Sequence, residues 1–155
     1  MASVLMIHPN KCTGCRSCEL ACAFTKEGQF RPRASRVHVF TWDREGISVP
    51  MMCQYCDPAP CVSVCTPGAM TRNRASGLVE WDPKRCIRCR MCVQACPFGN
   101  AVYDALSNSI FKCDTCAGAP ECVTFCPNKA LEFAEDTLST RSRKKAFAAK
   151  FKEAF

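Results

Sequence analysis

Apolar residues in this chain come in short runs separated by turn-forming residues, and no run approaches membrane-spanning length. Residues 3–7 are an apolar run that predicts a strand, ended by His8-Pro9-Asn10. Residues 36–42 alternate apolar and polar, residues 43–46 read as a turn, and Ile47-Ser48-Val49 returns as a hairpin partner. Residues 77–81 predict a further strand, and residues 101–103 and 109–111 a second hairpin around Leu106-Ser107-Asn108. Leu131-Glu132-Phe133 predicts a closing strand, and residues 29–35 read as a polar, basic loop. Helical rhythm is confined to residues 19–24 and to the C-terminus. There Phe147, Phe151 and Phe155 recur every four residues among Lys144, Lys145, Lys150 and Lys152, predicting a basic amphipathic helix. The pattern as a whole predicts a small, loop-rich α+β chain.

The sixteen cysteines change this picture, because they fall into four groups of four. Motif one is Cys12, Cys15, Cys18 and Cys22, motif two Cys53, Cys56, Cys61 and Cys65, motif three Cys86, Cys89, Cys92 and Cys96, and motif four Cys113, Cys116, Cys122 and Cys126. Motif three, followed by Pro97, fits C-x2-C-x2-C-x3-C-P, the bacterial pattern that holds cubane iron-sulfur clusters. Three thiolates two residues apart wrap a tight loop around one face of a compact cluster. The fourth lies about one helical turn beyond the third, and in two-cluster proteins it ligates the other cluster, so such motifs work in pairs. Motif one keeps this spacing with Ala23 in place of the proline, so its helix can run on. Motifs two and four carry longer middle inserts, Asp57-Pro58-Ala59-Pro60 and Ala117-Gly118-Ala119-Pro120-Glu121, without altering the last step.

At 155 residues the chain is one domain's worth, with about a tenth of its residues cysteine. That abundance would also suit a secreted disulfide scaffold. The short run Val4-Leu5-Met6-Ile7 lacks the basic leader and length of a signal peptide, and no twin-arginine leader is present, so a reducing, cytoplasmic location is expected. The formal net charge of +7 counts no thiolates. Four oxidised cubanes with cysteinate ligands would add about −8, which leaves the body acidic and the segment 138–155 basic and removes the case for nucleic acid.

Residues 11–130 resemble the four-cluster ferredoxin-like electron-transfer subunits of molybdenum and tungsten oxidoreductases and some hydrogenases. The resemblance rests on Cys12-Thr13-Gly14-Cys15-Arg16-Ser17-Cys18-Glu19, Cys56-Asp57-Pro58-Ala59-Pro60-Cys61 and Cys92-Val93-Gln94-Ala95-Cys96-Pro97-Phe98-Gly99, in that order. It implies two interlocked bacterial-ferredoxin-like units, within a polyferredoxin domain over residues 1–137 and a basic tail over 138–155. Motif one would pair with four and two with three. Four [4Fe-4S] clusters would then be held by Cys12, Cys15, Cys18 and Cys126; by Cys113, Cys116, Cys122 and Cys22; by Cys53, Cys56, Cys61 and Cys96; and by Cys86, Cys89, Cys92 and Cys65. Two departures, no proline directly after Cys22 or Cys65, remove no ligand.

The function so implied is one-electron transfer between a catalytic subunit, of aldehyde oxidoreductase, formate dehydrogenase or hydrogenase type, and a second redox subunit or carrier, flavin- or NAD-linked. The chain itself is expected to be non-catalytic, without a membrane span, and open to self-association or docking through its tail. A rival class is a zinc-binding interaction or nucleic-acid module, since C-x2-C pairs also make four-cysteine zinc sites. Zinc does not account for three cysteines in one loop or for the repeated C-x3-C ending. Arg16, Arg88, Arg90 and Lys112 adjoin ligands and read either as cations that raise local potentials or as solvated loop charges. His8 and His38 read as loop and strand residues rather than ligands, and Trp42 and Trp81 as core or interface aromatics.

Overall fold

The computed structural model describes residues 3–135. Its strands form four separate antiparallel pairs. The first pair joins the two ends of the described chain, β1 (Ser3–Ile7) against β8 (Leu131–Glu135). The other three are hairpins: β2 (Val37–Trp42) with β3 (Ile47–Met52), β4 (Met70–Arg72) with β5 (Val79–Trp81), and β6 (Val102–Asp104) with β7 (Ser109–Phe111). Between them lie one longer helix, α1 (Ser17–Glu27), and three single-turn helices, α2 (Pro60–Ser63), α3 (Met91–Gln94) and α4 (Glu121–Thr124). The architecture is α+β.

Each motif ends in a helix because its third cysteine enters one directly. In motif one, Ala23 lets that helix continue to Glu27, where Gly28 caps it at φ 68° and donates its N–H to the Phe24 carbonyl. In motifs three and four a proline stands directly after the fourth cysteine and in motif two one residue later, and those helices are single turns.

The apolar interior is split into two clusters that follow the motif pairs. One gathers Leu5, Val37, Val39, Met52 and Leu131 around Cys18, Cys22 and Cys122, from motifs one and four. The other gathers Ala59, Met70, Val79 and Ile110 around Cys61 and Cys92, from motifs two and three. Correspondingly, α1 packs on α4 and α2 on α3.

Three features depart from expectation. Strand β4 was unforeseen, and it gives β5 its partner. The loop at 29–35 holds a 3-10 turn, Pro32–Ala34, and completely buries Ala34 and Ser35, so it is part of the interior and not only a polar surface. Of the two alternatives for Trp42, core is the one that fails: it is about half exposed, with Phe40 and Ile47 beside it on the outer face of the β2–β3 hairpin. The C-terminal amphipathic helix and the tail at 138–155 lie outside the described residues.

Candidate iron-sulfur sites

The cysteines converge on cavities. Cys12, Cys15, Cys18 and Cys126 line one; Cys53, Cys56, Cys61 and Cys96 a second; Cys65, Cys86, Cys89 and Cys92 a third. The remaining four are near enough to influence one another: burial pushes the Cys122 thiol up, and Cys113, Cys22, Cys116 and, from the first set, Cys18 add to it. All sixteen are free cysteines. Among the described residues no three His, Cys, Asp or Glu side chains lie close enough together to hold a single metal ion. Three of the sets each line a space.

The loops that carry these sulfurs share a backbone device. The residue before the second cysteine of every motif is left-handed: Gly14 at φ 70°, Tyr55 at 49°, Arg88 at 59° and Thr115 at 56°. Arg16, Arg90, Cys116 and Ala117 also have positive φ. A left-handed non-glycine residue costs roughly 1–2 kcal/mol, so the strain needs a return, and turns built this way form N–H-lined concavities that hold anions. A thiolate-ligated cluster is such an anion.

The fourth cysteine of each motif accepts one backbone N–H at its sulfur. Arg36 N reaches Cys22 Sγ at 3.2 Å, Met70 N reaches Cys65 Sγ at 3.3 Å, and Asn100 N and Ala130 N reach Cys96 Sγ and Cys126 Sγ at 3.2 Å. After Cys96 and Cys126 the chain turns at the following proline and supplies the donor four residues on. After Cys22 the helix runs on and the donor comes from the entry to β2. These donors were not foreseen; the proline after the fourth cysteine was the signal that could have found them.

The ligand-adjacent cations behave differently from one another. Arg16 Nη1 lies 3.9 Å from Glu19 Oε2, Arg88 donates to the carbonyls of Cys86 and of Asn108, the latter at 3.3 Å, and the Arg90 guanidinium sits 3.8 Å from the Tyr103 ring centroid. Lys112 instead places Nζ 2.8 Å from Cys53 Sγ. His8 Nε2 lies 2.8 Å from Glu132 Oε2 and ties the end of β1 to β8. Trp81 packs on the second apolar cluster.

Burial dominates the protonation of the inner thiols. It pushes Cys18 up to about 12, with the Glu19 carboxylate next in effect, and Cys113 up to about 11 against the pull of the Tyr55 hydroxyl. Cys15, near the surface, is held below its usual value by hydrogen bonds from Ser17.

A family model for the 4Fe-4S dicluster domain matches residues 45–136. The chain belongs to this family. It is 40% identical over 79% of its length to the aliphatic sulfonate oxidoreductase, polyferredoxin-like subunit, of Pyrococcus furiosus, spanning 70% of that protein. It is 37% identical over 83% of its length to the thiosulfate reductase electron transfer subunit PhsB of Salmonella typhi, spanning 74% of it. Its fold matches a chain in the active site complex BamBC of benzoyl coenzyme A reductase with benzoyl-CoA, at TM-score 0.52 and 22% identity, covering 99% of this chain and 92% of that one. As a dicluster-family protein the chain binds [4Fe-4S] clusters, and its work is electron transfer rather than catalysis. Among the described residues no helix is long and apolar enough to cross a membrane.

Proposed function

We propose that the chain carries single electrons through four [4Fe-4S] clusters, between the catalytic subunit of a multi-subunit oxidoreductase and a second redox partner. The observation that carries this reading is the make-up of the cavities, each lined by three cysteines of one motif and the fourth of its partner. Cys12, Cys15 and Cys18 would hold a cluster with Cys126, and Cys113, Cys116 and Cys122 one with Cys22. Cys53, Cys56 and Cys61 would hold a third with Cys96, and Cys86, Cys89 and Cys92 a fourth with Cys65. Each cluster, when bound, takes up and gives back one electron. The chain's own part is to supply sixteen thiolates, donate N–H bonds to sulfur, exclude water and set the surrounding charge, which are the means by which a protein adjusts such a centre.

The two halves would be interlocked ferredoxin-like units within residues 1–137, with 138–155 a separate basic tail that docks on a partner or on another copy. The catalytic partner would be a molybdenum or tungsten aldehyde oxidoreductase, a formate dehydrogenase or a hydrogenase, the second partner flavin- or NAD-linked, and the compartment the cytoplasm. The oxidoreductase names of the relatives support the general part of this reading.

Anaerobic purification from the native source tests it. A brown protein with about sixteen iron atoms and as much acid-labile sulfide per chain, travelling with a catalytic oxidoreductase subunit, is the expected result. A colourless protein with stoichiometric zinc would favour the interaction-module reading.

A further inference from the structure

Motifs two and four contact each other outside the ligand pairing. Lys112, the residue before the first cysteine of motif four, crosses to motif two and places Nζ 2.8 Å from Cys53 Sγ. Its side chain lines the cavity shared by Cys53, Cys56, Cys61 and Cys96. In the other direction Tyr55, between Cys53 and Cys56, brings a buried hydroxyl close enough to Cys113 to influence its thiol, without a hydrogen-bond partner of its own.

Ligation requires neither contact. Several other cations near ligands face other groups: Arg88 the backbone carbonyls, Arg90 the face of Tyr103, and Lys26 Asp114 Oδ2 at 2.7 Å. Lys11, before Cys12, lines the first cavity without a hydrogen bond to sulfur. Among the described residues Lys112 is the one cationic side chain with a hydrogen bond to a cysteine sulfur. It also sits at the edge of the large cleft beside Phe111 and Trp81, partly shielded from water, which leaves its charge less screened than that of a surface lysine.

An added electron makes a thiolate-ligated cluster more negative, so a full positive charge at a ligand sulfur stabilises the reduced form more than the oxidised one. We propose that Lys112 is the residue that sets the potential of the Cys53, Cys56, Cys61 and Cys96 cluster, holding it above the value its cavity would otherwise give. This rests on the ligand assignment proposed above. The backbone donors do not supply the difference, because the fourth cysteine of every motif has one. A neutral donor such as the Tyr55 hydroxyl would act on the Cys113 cluster in the same direction and more weakly.

The test is an EPR-monitored redox titration of purified holoprotein, with iron and sulfide measured on every sample. In Lys112→Met one of the four potentials should fall by a tenfold or greater change in its reduction equilibrium, about 59 mV for one electron, while the other three stay in place. Lys112→Arg should keep most of the wild-type value. Lys112→Gln, which keeps an N–H donor without the charge, should fall like the methionine variant, and it decides the matter if that variant does not load. The displaced signal should be the one lost in Cys96→Ala. Full iron content with four unmoved potentials, an equal shift of all four, or displacement of a different cluster would overturn the proposal. A wild-type protein that never holds four clusters would instead count against the ligand assignment.

Discussion

Glu19 offers a prediction whose size follows from its surroundings. It follows Cys18 on α1, is 5% exposed, and its Oε1 accepts the Val39 N–H at 2.5 Å. Strand β2 has a neighbour on one side only, so this buried N–H on its open edge has no strand to bond. The carboxylate takes the place of one. Its other contact, 3.9 Å to an Arg16 guanidinium that is mostly exposed, contributes little. Glu19→Ala therefore removes a hydrogen bond to a charged group and leaves a donor unsatisfied, a loss of about 1.5–3 kcal/mol. Glu19→Gln keeps an acceptor and should lose about 1 kcal/mol or less. Unfolding of a cluster protein is not a two-state equilibrium, so the useful measurement is a rate, the anaerobic bleaching of visible absorbance in guanidinium. If the contact is broken before the clusters are released, Glu19→Ala should bleach about ten- to a hundredfold faster than wild type. Amide exchange at Val39 should accelerate in parallel. Bleaching of Glu19→Ala at the wild-type rate would refute the reasoning, and equal bleaching of the alanine and glutamine variants would show that the charge matters and the acceptor does not.

Cys96→Ala tests the ligand exchange: iron should fall from about sixteen to about twelve atoms per chain, with the cluster of Cys53, Cys56 and Cys61 impaired, and loss confined to that of Cys86, Cys89 and Cys92 would refute the pairing. Gly14→Ala should weaken the first loop, because Gly14 lies at φ 70° and a Cβ there would stand 2.7 Å from Ser48 Oγ. A penalty of about 1–2 kcal/mol from the backbone alone should appear as incomplete loading of the Cys12 cluster, and wild-type iron with wild-type bleaching kinetics would argue against it. His38 has its pKa held below the usual 6.5, by burial that outweighs the attraction of Glu19, and its Nε2 is unpartnered. Between that lowered value and 6.5 the unfolded chain binds more protons than the folded one, so stability should decline as pH falls through this window. In His38→Gln that part of the pH dependence of the bleaching rate should flatten, and an unchanged profile would remove His38 as its source.

The sequence was most legible where pattern and spacing are local. The strand at 3–7 was read with its observed bounds, and the two foreseen hairpins returned where the turn residues put them. Pairing of β1 with β8 was not legible, since it joins opposite ends of the described chain and no turn announces it. Strand β4 escaped because Met70-Thr71-Arg72 is too short to alternate. The left-handed loop positions were visible at Gly14 but hidden at Tyr55, Arg88 and Thr115, where tertiary demand overrides the preference of the residue. Spacing made the cysteines readable as four groups, and three of the expected sets each line a cavity. It could not reveal Lys112 on Cys53, because that contact spans fifty-nine positions and depends on how the halves meet.

The thiols also explain why cluster and fold depend on one another. Cys18, Cys113 and Cys122 are pushed up by burial, so their cavities resist the thiolate form that a cluster requires. A bound cluster would supply compensation through its iron, alongside the one backbone donor on the fourth sulfur of each motif. Cys18 and Cys122 are members of the first apolar cluster, with Cys113 packed against it, and Cys61 and Cys92 are members of the second, so the sites and the core are built from the same residues. A chain without clusters would keep buried, protonated thiols around empty centres and strained loops with no anion to hold, which couples metal binding to folding. Because the backbone contribution is repeated in all four motifs, it cannot order the clusters along a path. What differs between the sites is burial and the side chains beside them: the ammonium of Lys112 at Cys53, the carboxylate of Glu19 beside Cys18, and the hydroxyl of Ser17 at Cys15.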